Sequence, residues 1–164
     1  MPVGIAVFIG IALGLAIPET PTTQSAPAET VVLRGSRHVR SIIDGDTFKV
    51  GDRSIRLHGI DAPELAQSCE GWAAGEAARN ALVGLLARGA PQCKYIATDA
   101  YGRTVAICRV NGEDVSEAMV RSGMAYAAYS HDYLLQEWRA KVDGRGIHAR
   151  RCASPAHWRA THRK

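Results

Sequence analysis

The chain has 164 residues, 46% hydrophobic and 22% charged, with a formal net charge of +4. That length holds one compact core and excludes two ordinary domains, and no internal repeat is present. The basic balance, which rises once residues 1–30 with Glu19 and Glu29 are set aside, attracts polyanions.

Val3 to Ile17 is an unbroken apolar run of fifteen residues. As a helix it would be about 22 Å long, short against the roughly 30 Å of bilayer hydrocarbon. The length suits the apolar region of a secretory signal peptide, and Ala26-Pro27-Ala28 offers a small-x-small cleavage site. Against a simple cleaved signal, the first basic residue is Arg34 and Ala28 lies far from the run. Residues 1–18 are therefore expected to be a signal peptide or a retained anchor, with residues 3–17 as a membrane tether in the second case. Either way the protein is exported: secreted, periplasmic or membrane-anchored. Residues 19–30, rich in Pro, Thr, Ser and Ala without periodicity, read as a flexible linker.

Strands are expected at His38–Ile43, Thr47–Val50 and Ser54–Ile60, where apolar and polar residues alternate, with Gly51 and Asp52 turning between the second and third. Glu70 to Arg88 reads as a helix, its Ala and Leu residues recurring at three-to-four spacing up to Gly89. Cys93–Ala97 and Thr104–Val110 make two more strands. Helices follow at Asp114–Ser122 and at His131–Val142, the latter with Ser130 as N-cap and Gly144 as stop. The chain after Asp143 contains no acid, so residues 151–164 form a basic tail that either tracks phosphates or is merely solvated.

Four cysteines behind an export segment imply two disulfides, for which three connectivities exist. Cys93 with Cys108, flanking the fourth and fifth strands, is the first choice; Cys69 with Cys152 then ties the tail to the loop after Pro63. The absence of any CxxC pair argues against zinc.

The densest chemistry lies between Asp44 and Glu64. Pairing the second and third strands as a hairpin brings Asp44 and Asp46 near Asp61 and Glu64, while Arg56 points away from the core residues Ile55 and Leu57. Oxygen ligands gathered this way suit a hard cation such as Ca²⁺. Each motif alone is also an ordinary turn.

Taken together, Asp44-Gly45-Asp46-Thr47, Arg56, Asp61-Ala62-Pro63-Glu64 and Asp99 to Arg103 (Asp-Ala-Tyr-Gly-Arg) resemble the thermonuclease (staphylococcal nuclease-like) family over about residues 37 to 147. The resemblance implies an α+β fold, an OB-fold five-stranded barrel with three helices, within a nuclease domain spanning residues 31–150. It implies Asp46, Asp61 and the main-chain carbonyl of Ala62 as Ca²⁺ ligands, and Asp44 and Thr47 as the residues that hold those ligands in place. Glu64 would serve as general base or orient the attacking water, and Arg56 and Arg103 would clamp phosphate oxygens. Tyr101 and Tyr129 either meet a base or phosphate or simply pack. Ala62 replaces a threonine of some members, and His148 stands where a tryptophan often ends the domain.

The implied activity is Ca²⁺-dependent hydrolysis of DNA and RNA, single strands preferred, with little sequence preference and 3′-phosphate products. A monomer with no obligate protein partner is expected. Two other readings are a non-catalytic OB-fold module that binds nucleic acid or oligosaccharide, and an accessory role in exopolysaccharide (succinoglycan) production.

Overall fold

The structure, a computed structural model, describes Met1 and residues 39–162; the expected signal or anchor, the linker and residues 31–38 lie outside the described residues. Period-two alternation sets the first three strands. In β1 (Val39–Ile42), β2 (Thr47–Val50) and β3 (Arg53–Leu57), the side chains of Phe48, Val50, Ile55 and Leu57 go to the core. β2 pairs antiparallel with β3 in the register Thr47 to Arg56, so the intervening Arg56 faces away from that core. Gly51 makes the turn at φ 58°, in the left-handed region glycine enters without a Cβ clash.

After β4 (Ile60–Asp61), α1 (Ala74–Leu86) buries Ala74, Ala78, Leu82 and Leu86 at helical spacing. β5 (Gln92–Thr98) and β6 (Thr104–Val110) form an antiparallel pair, and β6 lies parallel to β3. β7 (Glu113–Asp114) leads into α2 (Val115–Arg121), where the Asp114 carboxylate caps the helix by accepting from the Glu117 amide. β8 (Tyr126–Ala127), α3 (Leu134–Val142), a 3₁₀ turn (Gly146–Ala149) and α4 (Pro155–Thr161) complete the described residues. The main sheet runs β1-β2-β3-β6-β5 with β7 on β6, and β4 pairs with β8 in a second, two-stranded sheet. One core joins these layers, with Phe48, Ile55 and Leu57 of the sheet packed in the same cluster as Leu82 of α1 and Met119 of α2. Each fully buried side chain of this size contributes roughly 1.5–3 kcal/mol.

The α+β class and OB-like strand order agree with expectation, while several details do not. Among the described residues there are eight strands rather than five and four α-helices rather than three, and no strand pairing joins β1 to β5 to close the barrel. The expected third strand breaks after Leu57: Gly59 adopts φ 76° and sends Ile60 and Asp61 to the second sheet. The first helix starts at Ala74 rather than Glu70, because Glu70 and Gly71 take positive φ and Cys69 bridges to Trp72. Ser130 does not cap α3; its hydroxyl accepts from the Asp132 amide in a turn, and the helix begins at Leu134. The C-terminal segment is folded onto the domain, its last helix started by Ser154, which accepts from the His157 amide, with Pro155 in the first turn.

Two disulfides pin the fold. Cys93–Cys108 crosses β5 and β6, and Cys69–Cys152 joins the loop after β4 to the segment before α4. Both suit an oxidising, extracellular or periplasmic environment. Among the described residues, no helix is long and apolar enough to cross a membrane.

Gly75 at the start of α1 lies where a Cβ would fall 1.9 Å from the carbonyl oxygen of Glu64, so only glycine lets the helix approach this loop. Gly75→Ala should lower stability by about 1–3 kcal/mol through forced displacement of the loop. Gly84→Ala in the same helix, where a Cβ meets nothing within 4 Å, should raise it by about 0.5–1 kcal/mol. Urea unfolding of the two variants reads both signs.

Candidate active site

The Asp44 to Thr47 turn is held by local hydrogen bonds that sequence chemistry dictates. An Asp side chain readily accepts from the backbone two residues on, and the Asp44 carboxylate accepts from the Asp46 amide at 3.0 Å. Gly45 permits a close approach, since a Cβ there would fall 2.7 Å from the Cβ atoms of both Ala62 and Ala78. The turn thus packs against the β4 loop and presents Asp46 to it.

Asp46 is 3% exposed, and both of its oxygens accept hydrogen bonds. Its Oδ1 accepts from Arg56 at 2.7 Å and from the Thr47 hydroxyl at 2.8 Å, and its Oδ2 accepts from the Ala62 amide at 3.1 Å. The other terminal nitrogen of Arg56 donates to Asp61 at 3.0 Å. One guanidinium therefore spans the two carboxylates. Burial drives the Asp46 carboxyl up, Arg56 pulls it down and the Asp44 carboxylate raises it again, leaving it at about 7. Burial works against the charge on Arg56, but the Asp46 and Asp61 carboxylates more than offset it and hold its pKa above the ordinary value.

Glu64 is held by its backbone: its amide donates to the side-chain Oε1 of Gln67, and the Gln67 backbone N–H donates to the Glu64 carbonyl at 2.7 Å. Gln67 is 1% exposed and also donates to the Ala153 carbonyl, so one buried side chain links the Glu64 loop to the C-terminal segment. On the far side, Asp99 organises its own turn. Its carboxylate accepts from the Tyr101 and Arg103 amides and, at 2.6 Å, from Nε of Arg103. Slight burial opposes the Asp99 charge, yet these hydrogen bonds keep its carboxyl below the usual range. The Arg103 guanidinium lies 5.4 Å from the centre of the Tyr101 ring, and that of Arg56 lies 5.8 Å from the Tyr129 ring. Both tyrosines are exposed, at 86% and 73%.

Most of these groups line one cleft of about 620 Å³, while Asp61, Thr47 and Gln67 lie behind its wall. Asp44, Asp46, Arg56, Ala62, Glu64, Tyr101, Arg103 and Tyr129 all face it. Arg103 is directed to Asp99, and among the described residues it donates to none of Asp46, Asp61 or Glu64. Sequence reasoning missed a third arginine. Arg159 of α4 donates to both oxygens of Asp61, at 3.1 and 3.0 Å, and to Glu64 at 2.8 Å. Hydrogen bonding to Asp61, with a further contribution from Glu64, raises its pKa above the ordinary value against a cost of burial. The sequence reads residues 151–164 as a basic tail without a helix. The favoured Cys69–Cys152 pairing brings that tail to the loop after Pro63, but α4 and the carboxylate partners of Arg159 come from contacts distant in sequence.

The donor set fits a hard cation in kind. Asp46 and Asp61 are oxygen donors one guanidinium apart, and a cation would take places on the Asp61 and Glu64 oxygens that Arg159 now holds. Among the described residues no group of three or more His, Cys, Asp or Glu side chains is clustered for a metal, so main-chain carbonyls and water would complete such a shell. His148 belongs to the packing instead: its ring sits edge-on to Tyr126 at 5.5 Å, and burial lowers its pKa.

Because the folded pKa of Asp46 lies above the ordinary 3.8, the native state binds more protons than the unfolded state between about pH 4 and 7. The associated stabilisation is full below about pH 4 and lost as pH rises through about 7. In chelator, the wild-type chain should lose urea stability relative to Asp46→Asn across that window, and parallel pH profiles of the two would contradict the assignment.

Comparison with known proteins accords with this geometry. Residues 54–150 match the family model described as staphylococcal nuclease homologue. Of the three motif regions, the Asp61 to Glu64 and Asp99 to Arg103 stretches fall inside that match and the Asp44 to Thr47 turn precedes it. The chain is 34% identical over 131 residues to an uncharacterized endonuclease of Haemophilus influenzae, covering 74% of this chain and 71% of that one. It is 42% identical over 112 residues to protein ParB of Escherichia coli, covering 60% and 59%. It is 32% identical over 117 residues to the succinoglycan biosynthesis protein ExoI of Rhizobium meliloti, covering 65% and 61%. The chain thus spans about three fifths of the length of the last two relatives. With the family match extending over more than half of its residues, the chain belongs to the staphylococcal nuclease homologue family.

Proposed function

We propose that the chain is an exported nuclease that hydrolyses phosphodiester bonds of DNA and RNA with little sequence preference, in a Ca²⁺-dependent reaction. The observation that carries this reading is the Arg56 bridge between Asp46 and Asp61, beside a cleft lined by Asp46, Arg56, Glu64 and Arg103. Family membership and the named endonuclease relative support nuclease chemistry. The two disulfides and the apolar run at Val3–Ile17 support export, and the formal net charge of +4 supports a polyanionic substrate.

In this reading Asp46, Asp61 and the Ala62 carbonyl hold the cation, steadied by Thr47 and Asp44. When bound, Ca²⁺ supplies a Lewis acid that polarises a phosphate oxygen and offsets its developing charge. Glu64 orients the attacking water or takes its proton. Arg56 and Arg103 offer paired N–H donors to non-bridging phosphate oxygens, a geometry lysine lacks. Asp99 fixes the direction of the Arg103 fork before substrate arrives. The exposed rings of Tyr101 and Tyr129 give bases a face on which to stack, which favours single strands and tolerates any sequence. The bond to the 5′ oxygen breaks and 3′-phosphate ends remain. A second reading, a role in exopolysaccharide production, draws on the similarity to ExoI and is compatible with nuclease activity.

Incubating the full chain with single-stranded DNA and RNA, in Ca²⁺ or in chelator, tests the proposal. Cleavage should require Ca²⁺ and yield 3′-phosphate ends by end-labelling. Arg103→Ala should lower kcat by about 10²–10³, the usual effect of removing one transition-state donor. Glu64→Gln, which keeps the shape of the side chain and removes its basicity, should fall at least as far. Cleavage unaffected by chelator and by both substitutions would refute the mechanism.

A further inference from the structure

Both oxygens of Asp61 and one oxygen of Glu64 are taken by the guanidinium of Arg159, whose second terminal nitrogen also lies 3.5 Å from the Tyr129 hydroxyl. A carboxylate offers about four lone-pair sites. On Asp61, Arg56 uses one and Arg159 two. Arg56 alone would leave Oδ2 of Asp61 free for a divalent ion; Arg159 occupies that oxygen as well and adds its own repulsion at hydrogen-bond distance.

The two arginines on Asp61 differ in what they can do. Arg56 comes from the centre of the main sheet, and its side chain is 13% exposed, sealed between Asp46 and Asp61. Arg159 comes from a two-turn helix at the end of the described chain, and its side chain is 38% exposed, so it can swing outward without disturbing the core. Its place is nevertheless not left to chance. Cys152 is bonded to Cys69, Gln67 donates to the Ala153 carbonyl, Tyr126 donates to the Cys152 carbonyl and Pro155 is buried. These contacts deliver the helix, and Arg159 with it, to the mouth of the cleft.

We infer that Arg159 is a tethered internal cation that closes Asp61 and Glu64 to a divalent ion, so that metal enters only when this side chain leaves. This latch rests on the reading of Asp61 as a cation ligand. It sets the metal concentration at which the site fills: if the docked form holds nine-tenths of the molecules, the apparent metal affinity falls about tenfold. A residue that merely braced the Glu64 loop would behave in the opposite way, since its loss would loosen the site and weaken metal binding.

Calorimetric titration of the full chain with CaCl₂ alone, without nucleic acid, separates these outcomes. Arg159→Ala and Arg159→Gln should each bind Ca²⁺ about tenfold or more tighter than wild type, with thermal melts verifying that both are folded. The glutamine variant keeps side-chain bulk and hydrogen bonding while removing the charge. Equal or weaker binding by the folded variants, beside measurable binding by the wild type, would overturn the latch and leave the cation site standing. No Ca²⁺ binding by any of the three proteins would overturn the latch together with the cation site on which it rests.

Discussion

The cleft depends on one buried ion contact, the fork of Arg56 set between Asp46 and Asp61. Arg56 rises from β3 of the main sheet, Asp46 from the turn before β2, and Asp61 from β4 of the small sheet, so this side chain fastens two sheets at the point where they meet. Two acids this deeply buried repel one another and lose hydration; the guanidinium between them offsets part of both costs, and burial still leaves the Asp46 carboxyl raised. Removing one partner of such a group typically costs about 3–5 kcal/mol, because the remaining charges stay buried without compensation. The stability of the fold and the electrostatics of the cleft are thus coupled at the same atoms.

Much of this was readable from the chain because it is local. The alternation in Thr47–Val50 and the following strand fixes which residues enter the core, and a hairpin between them places Arg56 on the opposite side without further information. The capping role of Asp114 and the left-handed turn at Gly51 follow from residue type. What escaped was set by partners distant in sequence. β4 and β8 are two residues each, too short to carry a period, and exist because they pair with one another. The delayed start of α1 comes from backbone turns at Glu70 and Gly71, the first of them at a residue with no preference for positive φ.

The candidate site divides in the same way. Its carboxylates and two of its arginines belong to short motifs with turn chemistry of their own. Gln67 and Arg159 belong to none. Gln67 sits in a loop with no pattern, and its burial reflects the simultaneous arrival of the Glu64 loop, α1 and the C-terminal segment. Arg159 stands in an acid-free stretch whose composition reads equally well as solvated, and only its crosslinked position gives it acidic neighbours.

The parallel pairing of β3 with β6 has a consequence for how the cleft comes into being. Asp44 to Glu64 closes through a hairpin and its flanks, contacts of low sequence separation, whereas Arg103 joins only when Ile55 aligns with Thr104 across the inserted helix and strand. Loop-closure entropy makes the second event the slower one. The acidic half of the cleft therefore assembles ahead of the half that carries Arg103, and a nascent chain gathers Asp44, Asp46, Asp61 and Glu64 in one place before that second arginine arrives.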